Sequence, residues 1–249
     1  MVRLFSTLVI TAIAITSQLI GNDLENSVSL DFRVFGVGHD DFKELYFYNG
    51  KAFEALNFKR TSRSEKTYSY RGSSKFGIYI KNPNYEFGND NEPPYNEVAS
   101  GGLDEEFSTG LIVLAANPNN RDVASQERSY KVFIIDDSKE AFTRNSVIFI
   151  NVTGVHLYGK VGETNLNLPI GHSTPISYSE YANKDKGIPI TFAFESKKGP
   201  RLVLSNDIRL ASNRRVVLIL EPPKRKNSTR IDIRMLSEAI YPVTDETTK

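Results

Sequence analysis

Apolar and polar residues alternate with a period of two along most of the chain after residue 28. Leu30, Phe32 and Val34 take turns with Asp31 and Arg33, so a strand here has one apolar and one wet face. Leu45-Tyr46-Phe47-Tyr48 and the stretch 51–58 flank Asn49-Gly50, a pair that readily adopts positive φ and predicts a two-residue hairpin. Further strands are predicted over 67–70, 76–81, 111–116 and 130–135.

In the second half, Val147-Ile148-Phe149-Ile150 and 216–220 are unbroken apolar runs, the pattern of strands covered on both faces. Between and after them the period of two returns at 155–161, Leu166/Leu168, Ile190/Phe192/Phe194, Leu202/Leu204 and Ile231/Ile233/Met235. Asp136-Asp137-Ser138-Lys139-Glu140 is the most helix-like piece, with Asp137 placed to cap and Glu140 to complete a capping box; its shortness makes it a connecting turn. No stretch of the mature chain sustains helical spacing over a dozen positions, and no internal repeat is evident. The expected fold is all-β, two consecutive immunoglobulin-like β-sandwich units after a signal peptide. The segments are a signal peptide at 1–21, a first sandwich at 22–137 containing an acidic loop at 84–107, and a second sandwich at 138–249.

The leader rests on Arg3 followed by an uncharged run over 4–20, a positive start and an apolar middle. Gly21 marks the expected cleavage point, ahead of the earlier Ala12-Ile13-Ala14. Hydrophobic residues at 39% and charged residues at 24% support a packed core. Cysteine is absent, which excludes disulfides, thiolate metal ligands and a cysteine nucleophile. The expected location is periplasmic or extracellular.

Charge is unevenly spread although the net value is only +1. Residues 197–234 hold eleven Lys or Arg against three acids, and 84–107 holds seven acids with no Lys or Arg. Lys224-Arg225-Lys226 after Pro222-Pro223 reads as a hairpin tip that could touch an anionic surface; on alternating strands the other charges mark the wet face. Gly88-Asn89-Asp90-Asn91-Glu92 offers oxygen ligands of the kind calcium takes but lacks the EF-hand spacing, and reads as part of a flexible insertion. His39, His156 and His172 are scattered, with no metal-ligand spacing. His39-Asp40-Asp41 is the nearest approach to a catalytic cluster; there is no Gly-x-Ser-x-Gly elbow, and Asp136 and Asp137 point apart on an extended chain. The sequons at Asn151 and Asn227 are short enough to arise by chance.

With Leu45 and Phe47 inward, Tyr46 and Tyr48 face outward, where flat rings stack on sugars or on another protein; cross-strand tyrosines also stabilise a sheet by themselves. Tyr46, Tyr48, Lys224, Arg225 and Lys226 are the candidate binding residues. No catalytic residue, metal or cofactor is assigned. The expected function is non-enzymatic contact with envelope proteins or cell-surface polymer, with a carbohydrate-binding module as the alternative and a hydrolase built on His39 as a third reading. Nucleic acid is not expected as a partner, since export removes the protein from it, and no membrane span is expected once the leader is gone.

The run Tyr130-Lys131-Val132-Phe133-Ile134-Ile135-Asp136-Asp137-Ser138, followed by Phe142, Phe149-Ile150-Asn151-Val152-Thr153-Gly154, Gly159-Lys160-Val161-Gly162 and Leu168-Pro169-Ile170-Gly171-His172-Ser173, resembles a group of uncharacterised exported bacterial all-β proteins. The resemblance covers the middle and C-terminal parts and implies an exported β protein. It carries over no functional residues.

Overall fold

A computed structural model describes residues 27–38, 40–60, 62–87, 92–117, 120, 127–225 and 228–240. The leader, His39, Gly88-Asn89-Asp90-Asn91, Lys226 and the sequon at Asn227 lie outside the described residues. The chain is all-β and forms two compact units that part between Ile134 and Ile135. Among the described residues, no helix is long and apolar enough to cross a membrane.

The first unit contains β1 (Val28–Val37), β2 (Tyr46–Tyr48), β3 (Phe53–Ala55), β4 (Tyr68–Gly72), β5 (Lys75–Lys81), β6 (Tyr95–Gly102), β7 (Thr109–Ala116) and most of β8 (Tyr130–Asp136), whose last two residues fall past the boundary. They form two four-stranded sheets, ordered β4-β1-β7-β8 and β3-β2-β5-β6. β1 runs antiparallel to β4 and parallel to β7. Leu30, Phe32 and Val34 of one sheet and Phe47, Phe76 and Ile78 of the other are buried in one core, which gives the unit its sandwich-like form. The Phe32 ring meets Phe47 at 5.1 Å and Phe76 at 5.2 Å, both edge to face, the arrangement favoured by the ring quadrupoles.

The second unit contains β9 (Ser146–Asn151), β10 (Leu157–Val161), β11 (Thr164–Leu168), β12 (Gly171–His172), β13 (Ile176–Ser177), β14 (Ile188–Ser196), β15 (Gly199–Ile208), β16 (Arg214–Glu221) and β17 (Asp232–Ala239). Its sheets are β12-β9-β16-β17, with β13 also on β9, and β11-β10-β14-β15. Every residue of β9, and all of β16 after Arg214, is buried, as their unbroken apolar runs require. The two strands pair in parallel, an arrangement suited to a sheet interior.

The sequence shows no repeat, yet the same strand order occurs twice. In each unit the first strand lies between the fourth and seventh and parallel to the seventh, while the second lies between the third and fifth; in the second unit β12 and β13 share the fourth place. A serine clasp recurs with the order. Ser64 N–H donates to the Val34 carbonyl at 2.8 Å while its hydroxyl accepts Val34 N–H at 3.0 Å. Ser173 does the same to Phe149 at 2.9 and 3.0 Å. In both places the hydroxyl satisfies a first-strand N–H at a point where the neighbouring strand breaks off, as a buried donor requires.

Four local expectations change. The acidic stretch 84–107 is more than an insertion, because β6 runs through it and pairs with β5 along its length. A register shift between Ile78 and Tyr79 breaks the period of two and hides β6 in the sequence. A second shift, between Phe192 and Ala193, turns Leu202 out to 57% exposure while Val203 and Leu204 are buried. The hairpin turn sits one residue later than Asn49-Gly50, because Asn49 Oδ1 accepts both Lys51 N–H (3.0 Å) and Ala52 N–H (2.9 Å), leaving Gly50 and Lys51 at the centre. In the connecting turn, Asp137 is no cap: Asp136 Oδ1 accepts Ser138 N–H at 2.9 Å and Ser138 Oγ accepts Ala141 N–H at 3.2 Å, while the Asp137 carboxylate is buried facing Arg215 at 3.6 Å.

Candidate functional site

The β3-β2-β5-β6 sheet turns Phe47, Phe76, Ile78 and Ile80 to the core, so the period of two places Tyr46, Tyr48 and Tyr79 on its other face. Tyr46 lies opposite Ala55 and Tyr79, and Tyr48 opposite Phe53. Phe53 stacks on Tyr95 with centroids 3.9 Å apart, and meets Tyr79 at 5.1 Å and Tyr48 at 5.3 Å; Tyr46 meets Tyr95 at 5.1 Å. Five rings from four strands thus form one ladder, with Lys81 Nζ 5.7 Å from the Tyr46 ring. The ladder stabilises the sheet as cross-strand aromatic pairs do. Tyr46 is half-buried within it, whereas Tyr48 at its end is 43% exposed.

Beside Tyr48 an open groove of about 540 Å³ lies between the β2–β3 turn and the β4–β5 turn, with Tyr48 and Tyr79 both lining it. Glycines shape it. A Cβ on Gly77 would come within 2.5 Å of the Tyr79 hydroxyl, so the glycine makes room for that ring. Gly50 has φ +92°, and a Cβ there would sit 2.1 Å from the Arg71 carbonyl oxygen; only glycine allows the turn to approach β4 this closely. The facing turn is held by Tyr70, whose hydroxyl donates to the Ser73 carbonyl at 2.8 Å. Burial pushes the Tyr70 phenol above its ordinary range; burial and then the Glu97 charge do the same for Tyr79. Both therefore keep their protons at neutral pH. Lys75 lies in the groove but is engaged by Glu97 at 2.8 Å.

Tyr46 and Tyr48 therefore share one ladder, with Tyr48 carrying the open surface. Phe53 and Tyr95 were missed in the sequence, Phe53 as one of a hairpin's many apolar residues and Tyr95 inside the acidic stretch. Lys224 and Arg225 belong to the other unit. They are exposed on the β16–β17 connection, where Lys224 N–H donates to Asp232 at 2.8 Å. The basic stretch around them is less free than its composition suggests. Arg215, read from the sequence as wet-face charge, is 5% exposed and pairs with Glu238 at 2.7 Å; Arg234 pairs with Glu221 at 2.8 Å.

Asp40, the described neighbour of His39, serves structure. Its carboxylate, 1% exposed, accepts from Phe42 N–H (2.8 Å), Asn120 Nδ2 (3.0 Å) and the Tyr130 hydroxyl (3.0 Å). Burial and the adjacent Asp40 charge drive the Tyr130 phenol far above its ordinary range. Among the described residues no three His, Asp or Glu gather where they could hold a metal ion. Asn151 of the first sequon is fully buried, its Nδ2 donating to the carbonyls of Val155, Leu168 and Pro169, so it is a staple of the fold. Compared with models of known protein families and with curated protein sequences, the chain matches none.

Proposed function

We propose that this is an exported, non-enzymatic binding protein of the periplasm or cell exterior, whose first unit takes a cell-surface polysaccharide in the groove beside Tyr48. In this reading both units are sandwiches of immunoglobulin-like architecture with a strand order of their own. The uncharged run after Arg3 and the absence of cysteine support export into an envelope. The carrying observation is the pairing of an open ring, Tyr48, with Tyr79 along one groove. Two amphipathic rings offer flat apolar faces to a sugar, and Ser73 and Ser74 of the same lining offer groups for its hydroxyls. A concave site with rings and a few polar groups is the usual form of a small-ligand site.

Tyr48→Ala is expected to weaken retention on a bound polysaccharide by about tenfold, the loss of about 1.4 kcal/mol, with only a small drop in melting temperature, because this outermost ring gives the ladder a single ring contact, to Phe53. Affinity electrophoresis in polysaccharide-containing gels measures this. Equal retention of the variant and the parent would end the proposal.

A further inference from the structure

Resting on that reading, the lining of the groove points to an acidic polysaccharide, one whose sugar rings lie on Tyr48 and Tyr79 and whose carboxylate or sulfate groups meet Lys51 and Arg71. Among the described residues, the charged members of the lining are Lys51, Arg71 and Lys75, with no Asp or Glu. Lys75 is compensated by both oxygens of Glu97, at 2.8 and 3.0 Å. Lys51 and Arg71 are exposed, and among the described residues neither forms an ion pair. Two cations that form no ion pair among the described residues, beside one open ring, favour a polymer that carries negative charge along its length.

Their placement is set by the backbone. Lys51 sits in a turn held by Asn49 Oδ1, which accepts the Lys51 N–H itself. Gly50 brings that turn against the Arg71 carbonyl, so the two cations stand on adjoining pieces of main chain. Arg71 can take a carboxylate or sulfate with two parallel N–H donors, and Lys51 acts as a point charge. Since both are exposed, each contact is modest and screened by salt. A strong response to ionic strength is therefore part of the expectation.

The test uses polygalacturonate and dextran sulfate as acidic polymers and dextran as the neutral one, with the parent protein, Tyr48→Ala and the double variant Lys51→Ala/Arg71→Ala. Among the described residues neither cation's side chain takes part in a hydrogen bond, so the double variant is expected to melt like the parent. The parent is expected to bind at least one acidic polymer and the double variant to bind it about tenfold more weakly. Raising salt from about 50 to about 500 mM is expected to weaken the parent far more than the double variant. Dextran bound as tightly as the acidic polymers, with loss in Tyr48→Ala but none in the double variant, would overturn the acidic ligand and leave the ring platform standing. An acidic polymer lost by the double variant but kept by Tyr48→Ala would support the charge contact and overturn the platform. Failure of the parent to bind any of the three would overturn both.

Discussion

Arg215→Ala is expected to lower the unfolding free energy by about 3–5 kcal/mol, the cost of removing one member of a buried ionic cluster. The Arg215 side chain is 6% exposed. It donates to the Asp137 carbonyl at 2.7 Å, reaches the Ser138 and Phe142 carbonyls at 3.4 and 3.5 Å, and bonds Glu238 at 2.7 Å. Its Cζ also lies 5.3 Å from the centre of the Phe142 ring. The side chain therefore fastens the turn between β8 and β9 to the β16–β17 pair. Alanine withdraws the cation facing Asp137, whose side chain is 2% exposed, and takes the donor from the carbonyls of the turn. Glu238 is 27% exposed at its side chain, so water can replace much of what Arg215 gives it. Glu238→Ala is accordingly expected to cost about 1 kcal/mol. Chemical denaturation of both variants provides the comparison; equal, small losses would show that the cluster contributes little.

Asp40→Ala is expected to be comparably damaging, at about 3–5 kcal/mol. It removes the acceptor of Phe42 N–H, of Asn120 Nδ2 and of the Tyr130 hydroxyl, and a partner 3.5 Å from Arg128. Phe42 sits at φ +53°, a conformation that a side chain other than glycine adopts only when its surroundings hold it there. The carboxylate bond to its N–H is part of that hold. Asp40→Asn keeps an acceptor in place and is expected to lose less. Tyr130→Phe removes one hydroxyl and is expected to cost about 1–2 kcal/mol. Thermal melts ranking Asp40→Ala below Asp40→Asn and Tyr130→Phe would fit a structural role for this carboxylate; a silent Asp40→Ala would refute it.

Period-two alternation and unbroken apolar runs together located most strands, because a strand that faces a core leaves its pattern in the sequence where the backbone is regular. Leu30, Phe32 and Val34 are all buried and lie on β1 as read, and the unbroken runs marked β9 and β16 as strands covered on both faces. Legibility failed where the backbone departs from strict alternation. The shift between Ile78 and Tyr79 hid β6, and that between Phe192 and Ala193 put Leu202 on the wrong face. The repeated strand order was invisible because it resides in pairings between distant strands, and two sequences can satisfy it with different side chains, as Val34 and Phe149 do opposite Ser64 and Ser173.

The candidate site was half legible. Tyr46 and Tyr48 were placed by their neighbours, since Leu45 and Phe47 are buried. The groove was not, because Lys51 on the β2–β3 turn and Arg71 on β4 come to one groove only through the approach of Gly50 to the β4 backbone. Arg215 shows the opposite failure. A local excess of basic residues looks like a surface feature, and only the fold shows that one of them is spent inside on Asp137 and Glu238.

The most direct measurement is a titration of the isotope-labelled protein with a polygalacturonate oligomer, followed by backbone amide NMR. The expected result is a set of shifts concentrated at Tyr48, Gly50, Lys51, Arg71, Ser73 and Tyr79. Shifts confined to residues 135–249, or none at saturating oligomer, would contradict a sugar-binding groove in the first unit.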